Sequence, residues 1–251
     1  MSRILCITGT GTDIGKSGLS LTVLAWARSK GLKAGYLKPV QCGSREGAPR
    51  GGAFGGTPGG FFGDAEWIQA ALPGEVPDAA AVYTFADPVS PHFAAERAGV
   101  WIDPDWILEQ AEAAARRCDL LVIEGAGGAA VPLNREGLSL VDLAVRGGWP
   151  CVIAALPGLG TLHHTLTTAH FMRAKNAEIA GFALIQNTMA SAAASLIQSD
   201  NLVTLKEMLN VPFFGMMPHC PGLDKRLPLS PAVVSLLAQS LPGLDAWWAA
   251  P

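Results

Sequence analysis

A short apolar run, Ile4-Leu5-Cys6-Ile7, breaks at Gly9 and Gly11, and Gly15-Lys16-Ser17 then leads into an apolar-periodic segment. A buried strand that turns through glycines and re-enters as a helix belongs to an alternating α/β architecture. In that architecture the turn lies at the C-terminal edge of a mostly parallel sheet. Glycines let backbone N–H groups converge on an anion, and the helix start adds its unpaired N–H groups and positive dipole end. Lys16 can reach terminal phosphate oxygens as a point charge, and the Ser17 hydroxyl can ligate Mg²⁺. The stretch therefore predicts a nucleoside triphosphate cradle made by Asp13, Ile14, Gly15, Lys16, Ser17 and Gly18. Its first glycine lies six residues before Gly15, where the standard loop has five.

The strand–helix rhythm continues along the chain. Apolar runs at 34–37, 82–85, 120–124, 151–156, 179–186 and 213–216 read as further strands. Helical spacing is predicted over 17–30, 64–72, 104–117, 139–146, 162–174, 202–209 and 231–239. This pattern implies an open, mostly parallel sheet with helices on both faces, in one α/β domain spanning 1–251. Candidate functional residues fall at predicted strand ends: Lys16, Lys38, Glu124, Gly160 and Asn187, which one sheet would bring to one edge. Glu124 follows four apolar residues and precedes a glycine turn, so its carboxylate is expected to emerge beside the phosphate cradle as a Mg²⁺ or water-holding acid. Asp64 opens a predicted helix after a glycine-rich loop at 43–63, and position alone allows a helix cap or a Mg²⁺ or ribose contact. His163 and His164 are adjacent and face different ways on their helix, which favours surface or interface roles over metal ligation.

Composition excludes several function classes. The formal net charge is −3 and no basic block occurs, which argues against nucleic acid as a partner. No apolar run approaches the ~18 residues of a membrane span, and no signal peptide is expected. The five cysteines are scattered without metal spacing, so a reducing cytoplasm is the expected compartment.

Four motifs together carry a family resemblance: GTGTDIGKS, the Gly35–Val40 run GYLKPV, TFADPVSPH from Thr84 to His92, and EGAGGAAVPL from Glu124 to Leu133. In order and spacing they resemble dethiobiotin synthetase, from the N-terminus to about residue 220. The resemblance implies an ATP- and Mg²⁺-dependent cyclo-ligase that acts on 7,8-diaminononanoate and CO2 in biotin biosynthesis, as a homodimer. It would place Lys16 and Lys38 at the γ-phosphate and carbamate, and Ser17, Asp64 and Glu124 on Mg²⁺. Gly125, Ala126 and Gly127 would line the nucleotide or amine site, with Asn187, Thr188, Pro218 and His219 around the adenine. The TFADPVSPH turn would form a substrate-side wall. Cys42, Gly127 and His163 would meet the substrate, and the Gly160-Thr161 turn would take its distant carboxylate across the dimer interface. The chain departs from the family pattern at Cys42 (usually Ser), Thr188 (commonly Asp) and His163 (often Asn), and in the longer glycine-rich loop.

The main rival is a partition or septum-positioning switch ATPase of the same superfamily. Such proteins carry a signature lysine five residues before the loop lysine, and that position here is Gly11. A cobyrinic-acid-type amide synthase would need an appended glutaminase domain, for which no room is expected.

Overall fold

The computed structural model describes residues 2–44, 63–72, 79–189, 191–221, 223 and 228–250. Most of the loop expected over 43–63 lies outside the described residues. Among the described residues seven strands form one sheet: β1 (Arg3–Gly9), β2 (Ala34–Cys42), β3 (Ala80–Phe85), β4 (Leu120–Glu124), β5 (Cys151–Ala155), β6 (Ile179–Ile185) and β7 (Phe213–Met217). Their order is β3-β2-β4-β1-β5-β6-β7, and every pairing is parallel. The chain builds outward from β1 in one direction, then returns to the other side. The C-terminal ends of β1 and β4 therefore flank the switch point, where open α/β sheets hold ligands.

The described helices are α1 (Lys16–Ser29), α2 (Asp64–Ala71), α3 (Pro91–Arg97), α4 (Pro104–Ala115), α5 (Leu140–Gly147), α6 (Thr161–Ala174), α7 (Ala192–Leu209), α8 (Pro231–Gln239) and α9 (Gly243–Ala249). Strand side chains alternate between two cores. Leu5, Ile7, Tyr36 and Val122 face α1, α2, α8 and α9, with Leu19, Trp26, Ile68, Leu237 and Leu244. Cys6, Leu37, Leu121 and Ile123 face α4 to α7, with Ile107, Val141, Met172 and Leu205. Both faces of the sheet are thus buried, which is why its central strands read as unbroken apolar runs.

Three elements depart from expectation. β2 runs on to Cys42, so Lys38 lies inside the strand rather than at its end. Its pairing with β4 stops at Leu37 opposite Ile123, while pairing with β3 continues and passes over Pro39, which has no N–H to donate. α7 begins ten residues before the predicted 202, capped by the Ser191 hydroxyl, which accepts from the Ala194 N–H at 3.2 Å. Its buried line is Asn201, Leu205 and Leu209, so the buried face begins with a polar residue in the middle of the helix and the apolar signal covers only the C-terminal half. α9 lies beyond the last helix predicted from the apolar spacing, 231–239. It forms because Leu244 is fully buried and Trp26 donates its indole N–H to Asp245 at 2.8 Å. Trp248 meets Trp26 edge-on at 6.0 Å, and the Arg3 guanidinium lies over both Trp247 and Trp248.

Candidate active site

β1 delivers the glycine loop to the sheet edge, and two close approaches fix its path. A side chain at Gly9 would overlap Ile14 and lie 3.0 Å from the Ala154 carbonyl. Gly15, at φ 93°, stands just before α1 with Ile185 packed against it. Asp13 also takes a left-handed conformation, φ 56°, and is exposed at the mouth of the loop. The turn after β4 docks onto this loop: the Ala129 N–H donates to the Gly9 carbonyl at 2.9 Å, and Gly128 packs against Gly11. The two glycine-rich motifs therefore form a single structure.

Charge converges behind the loop. Lys38 and Glu124 are neighbours one step beyond the last β2–β4 register pair, so both side chains point to the α1 face. Lys38 Nζ lies 2.6 Å from Glu124 Oε1, 2.7 Å from Asp64 Oδ2 and 3.2 Å from the Gly125 carbonyl. Ser17 Oγ, on the first turn of α1, lies 2.8 Å from both Asp64 Oδ1 and Glu124 Oε1. Lys16 donates back to the Gly11 carbonyl at 2.7 Å. Burial, then the nearby Lys38 charge, lowers Lys16 to about 8, against partial compensation from Glu124, Asp64 and Asp13. Burial opposes the charge on Lys38 too, but Glu124 and Asp64 outweigh it and hold that ammonium above its ordinary value. Burial raises the Cys42 thiol to about 11, so it stands there as a neutral thiol.

Asp64 does not cap its own helix. Gly63 is the N-cap of α2, without a side-chain bond, and Asp64 is the first helical residue. Gln41 of β2 provides the missing acceptor, its Oε1 taking the Ala65 N–H at 3.2 Å while its Nε2 donates to Glu66 at 3.1 Å. A side chain at Gly63 would overlap Gln41, so the helix start is held closely against β2 and Asp64 is carried to Lys38. Of the two positional readings of Asp64, this geometry removes the cap.

These groups lie at one end of an open cleft of about 1040 Å³. Asp13, Gly15, Lys16, Ser17, Gly18, Lys38, Cys42, Asp64 and Glu124 line it, as do Ala126, Gly127, Asn187, Pro218 and His219. Pro88, Val89, Ser90 and Pro91 supply a further wall, which the Gly43 N–H ties to the end of β2 by donating to the Phe85 and Asp87 carbonyls. Ile14 is buried under the loop, Gly125 contributes its carbonyl to Lys38, and Thr188 is exposed beside Asn187 without lining the cleft. Gly160, Thr161 and His163 lie outside it. Thr161 turns its hydroxyl inward to Thr165 at 3.2 Å, and His163 is exposed against His164. Of the five residues expected on one edge, four share the cleft and Gly160 does not; it opens α6, whose buried residues Ala169 and Met172 pack on the face of the sheet opposite α1. Ser20, Tyr36, Gln41 and Trp67 belong to the site or its support; Tyr36 lies within the GYLKPV run but was assigned no role there, and the other three lie in no motif. The one available signal was that Ser17 and Ser20, three apart, share a helix face.

Two carboxylates and a hydroxyl within reach of one another are the hard oxygen donors that suit Mg²⁺. Among the described residues no three His, Cys, Asp or Glu side chains cluster into a closed metal cage. A site of two carboxylates completed by substrate phosphates is the usual arrangement for Mg²⁺.

A family model described as an AAA domain matches residues 3–226. The ATP-dependent dethiobiotin synthetase BioD of Geobacillus sp. (strain WCH70) is 34% identical over 229 residues, covering 90% of this chain and 88% of that protein. The same-named protein of Ralstonia nicotianae is 35% identical over 225 residues, covering 89% of this chain and 92% of its own length. The chain belongs to the dethiobiotin synthetase family. It is accordingly an enzyme of an ATP-dependent ligase family. Solved structures extend the likeness in fold alone. The Pyrococcus furiosus cell division ATPase MinD aligns with TM-score 0.59 at 14% identity, over 98% of this chain and 99% of that one. MinD in the Aquifex aeolicus MinC:MinD complex aligns with TM-score 0.58 at 11% identity, over 100% and 98%. At identities this low, the two structures share the fold of this chain and carry nothing further about what it does.

Proposed function

We propose that this chain closes the ureido ring of dethiobiotin from 7,8-diaminononanoate and CO2, using ATP. The observation that carries the reading is Lys38, held between Asp64 and Glu124 and beside Ser17 at the closed end of the cleft. One amine of the substrate attacks CO2 and loses a proton, giving a carbamate. A carbamate oxygen attacks the γ-phosphorus and ADP leaves, giving a carbamic–phosphoric anhydride. The second amine attacks the carbamoyl carbon, phosphate leaves with the C–O bond broken, and a proton is released as the five-membered ring closes.

Carbamate is a poor electrophile until it is phosphorylated, so the protein's task is to place two anions together and stabilise charge on the transferring group. Lys16 and Lys38, which both line the cleft, supply that positive charge. The glycine-loop N–H groups and the start of α1 orient the phosphates. Ser17, Asp64 and Glu124 would hold Mg²⁺, which supplies Lewis-acid charge to the phosphate oxygens. The wall from Pro88 to Pro91, with Cys42 and Gly127, lies on the substrate side, and Asn187, Pro218 and His219 lie toward the adenine. Gly160, Thr161 and His163 would serve the neighbouring site of a homodimer. A reducing cytoplasm suits the five free thiols.

Purified protein should turn over ATP only when diaminononanoate and bicarbonate are both present, with dethiobiotin detected by mass. Equal ATP hydrolysis with and without the diamine would reject the ligase reading in favour of a switch ATPase.

A further inference from the structure

Glu124 is fully buried, and its two carboxylate oxygens have different surroundings. Oε1 faces Ser17 and Lys38. Oε2 is turned the other way, 2.6 Å from Ser20 Oγ and 2.9 Å from the Tyr36 hydroxyl. Ser20 Oγ also lies 3.1 Å from the Lys16 carbonyl, but the carboxylate is both closer and charged, so it accepts the Ser20 hydrogen bond. Ser20 and Tyr36 are themselves fully buried and do not line the cleft. Burying two hydroxyls costs stability unless each finds a partner, and here both find the same oxygen. A carboxylate oxygen offers about two lone-pair sites, so the inner oxygen is saturated.

We infer that Ser20 and Tyr36 are positioning residues that clamp Glu124 so that it presents one oxygen, and only one, to the metal-side edge of the cleft. The inference rests on the proposed reading of Glu124 as a Mg²⁺-side carboxylate. The geometry explains how α1 and β2 contribute twice each. Ser17 and Lys38 act at the cleft, while Ser20, three residues on along α1, and Tyr36, two residues back along β2, act on the reverse of the same carboxylate. Turning Glu124 to offer both oxygens would break two charge-assisted bonds at once. The consequence is selectivity. Mg²⁺ keeps near-ideal octahedral geometry and takes carboxylates one oxygen at a time, whereas Ca²⁺ readily accepts a two-oxygen carboxylate. A clamped Glu124 favours the first cation and denies the second its preferred mode.

The test measures ATP binding by calorimetry on the full chain, with Mg²⁺ titrated, with Ca²⁺ titrated, and with chelator alone. The variants are Tyr36→Phe, Ser20→Ala and the two combined. The expected result is an unchanged metal-free ATP affinity. The Mg²⁺ concentration for half-maximal enhancement should rise roughly ten- to a hundredfold in the combined variant, the usual effect of losing partners behind a metal ligand. The preference for Mg²⁺ over Ca²⁺ should narrow in the same variant. Tyr36→Phe keeps the ring volume and so reads the effect in a folded protein if the combined variant does not fold. An unchanged Mg²⁺ half-point in Tyr36→Phe, or an equal loss of ATP affinity with and without metal, would overturn the clamp. Absence of diamine-dependent turnover in the unsubstituted protein would overturn the ligase reading instead, and the Mg²⁺ half-point would still decide the clamp.

Discussion

Lys38 has two tasks that a single substitution confounds. It offers positive charge to the cleft, and it neutralises Glu124, a carboxylate with no exposed surface. Removing one partner of a buried ion pair strands the other, at a cost of about 3–5 kcal/mol. Lys38→Met should therefore lose activity and stability together. Adding Glu124→Gln removes the stranded charge, so the double variant should regain most of that stability in urea unfolding while ring closure stays absent. If the double variant unfolds as readily as Lys38→Met alone, the pair is not the source of the loss. The same residues show what was legible in sequence. Lys16, Ser17, Lys38 and Glu124 could be found because each sits at a fixed offset from a glycine turn or an apolar strand. Ser20, Tyr36 and Gln41 could not, because their roles depend on which strand and helix fall opposite them, and that is set only when β2 and β4 pair.

At the scale of elements, the helices differ in how they are held. α5 carries its own start signal: the Ser139 hydroxyl accepts from the Asp142 N–H, while the Asp142 carboxylate accepts the Ser139 N–H at 2.8 Å. Lys175 at the end of α6 donates to the other Asp142 oxygen at 2.7 Å. Partial burial pushes the Asp142 carboxyl up, but the bonds from Lys175 and Ser139 prevail and hold it below its ordinary value of 3.8. A group depressed on folding stabilises above its unfolded value and loses that contribution as pH falls through its folded one. Asp142→Asn should thus cost about 1 kcal/mol at neutral pH, the usual worth of a cap. The gap between the two proteins should close as pH drops below 3.8, read from paired thermal melts. A gap constant to pH 2 would mean that the charge contributes nothing. α5 was readable in sequence because its cap is local. The extent of α2 was equally legible, 64–72 against Asp64–Ala71, but its cap was not, because the acceptor comes from Gln41, 24 residues before Ala65.

On the scale of the whole molecule, the C-terminal helices close the sheet face that carries α1. Leu237, Leu241 and Leu244 are fully buried in the same core as Leu19, Leu24 and Ile68. Gly215 of β7, at φ 143°, has the Ser240 carbonyl against it, so any side chain there would force α8 and α9 away. Arg3 donates to the Trp247 carbonyl at 2.8 Å, which ties the first strand to the last helix. The phosphate cradle and the closing helices therefore share α1 as a wall, and one cooperative unit is expected over 1–251. Leu244→Ala should lower unfolding free energy by about 2–5 kcal/mol through lost burial and a new cavity. Its position away from the cleft should leave ATP affinity intact, so saturating Mg·ATP should raise stability by the same increment in the variant as in the parent. A single urea transition monitored by tryptophan fluorescence and by nucleotide release would bear this out. Two separated transitions, with nucleotide retained after the first, would show that α8 and α9 unfold independently of the cradle.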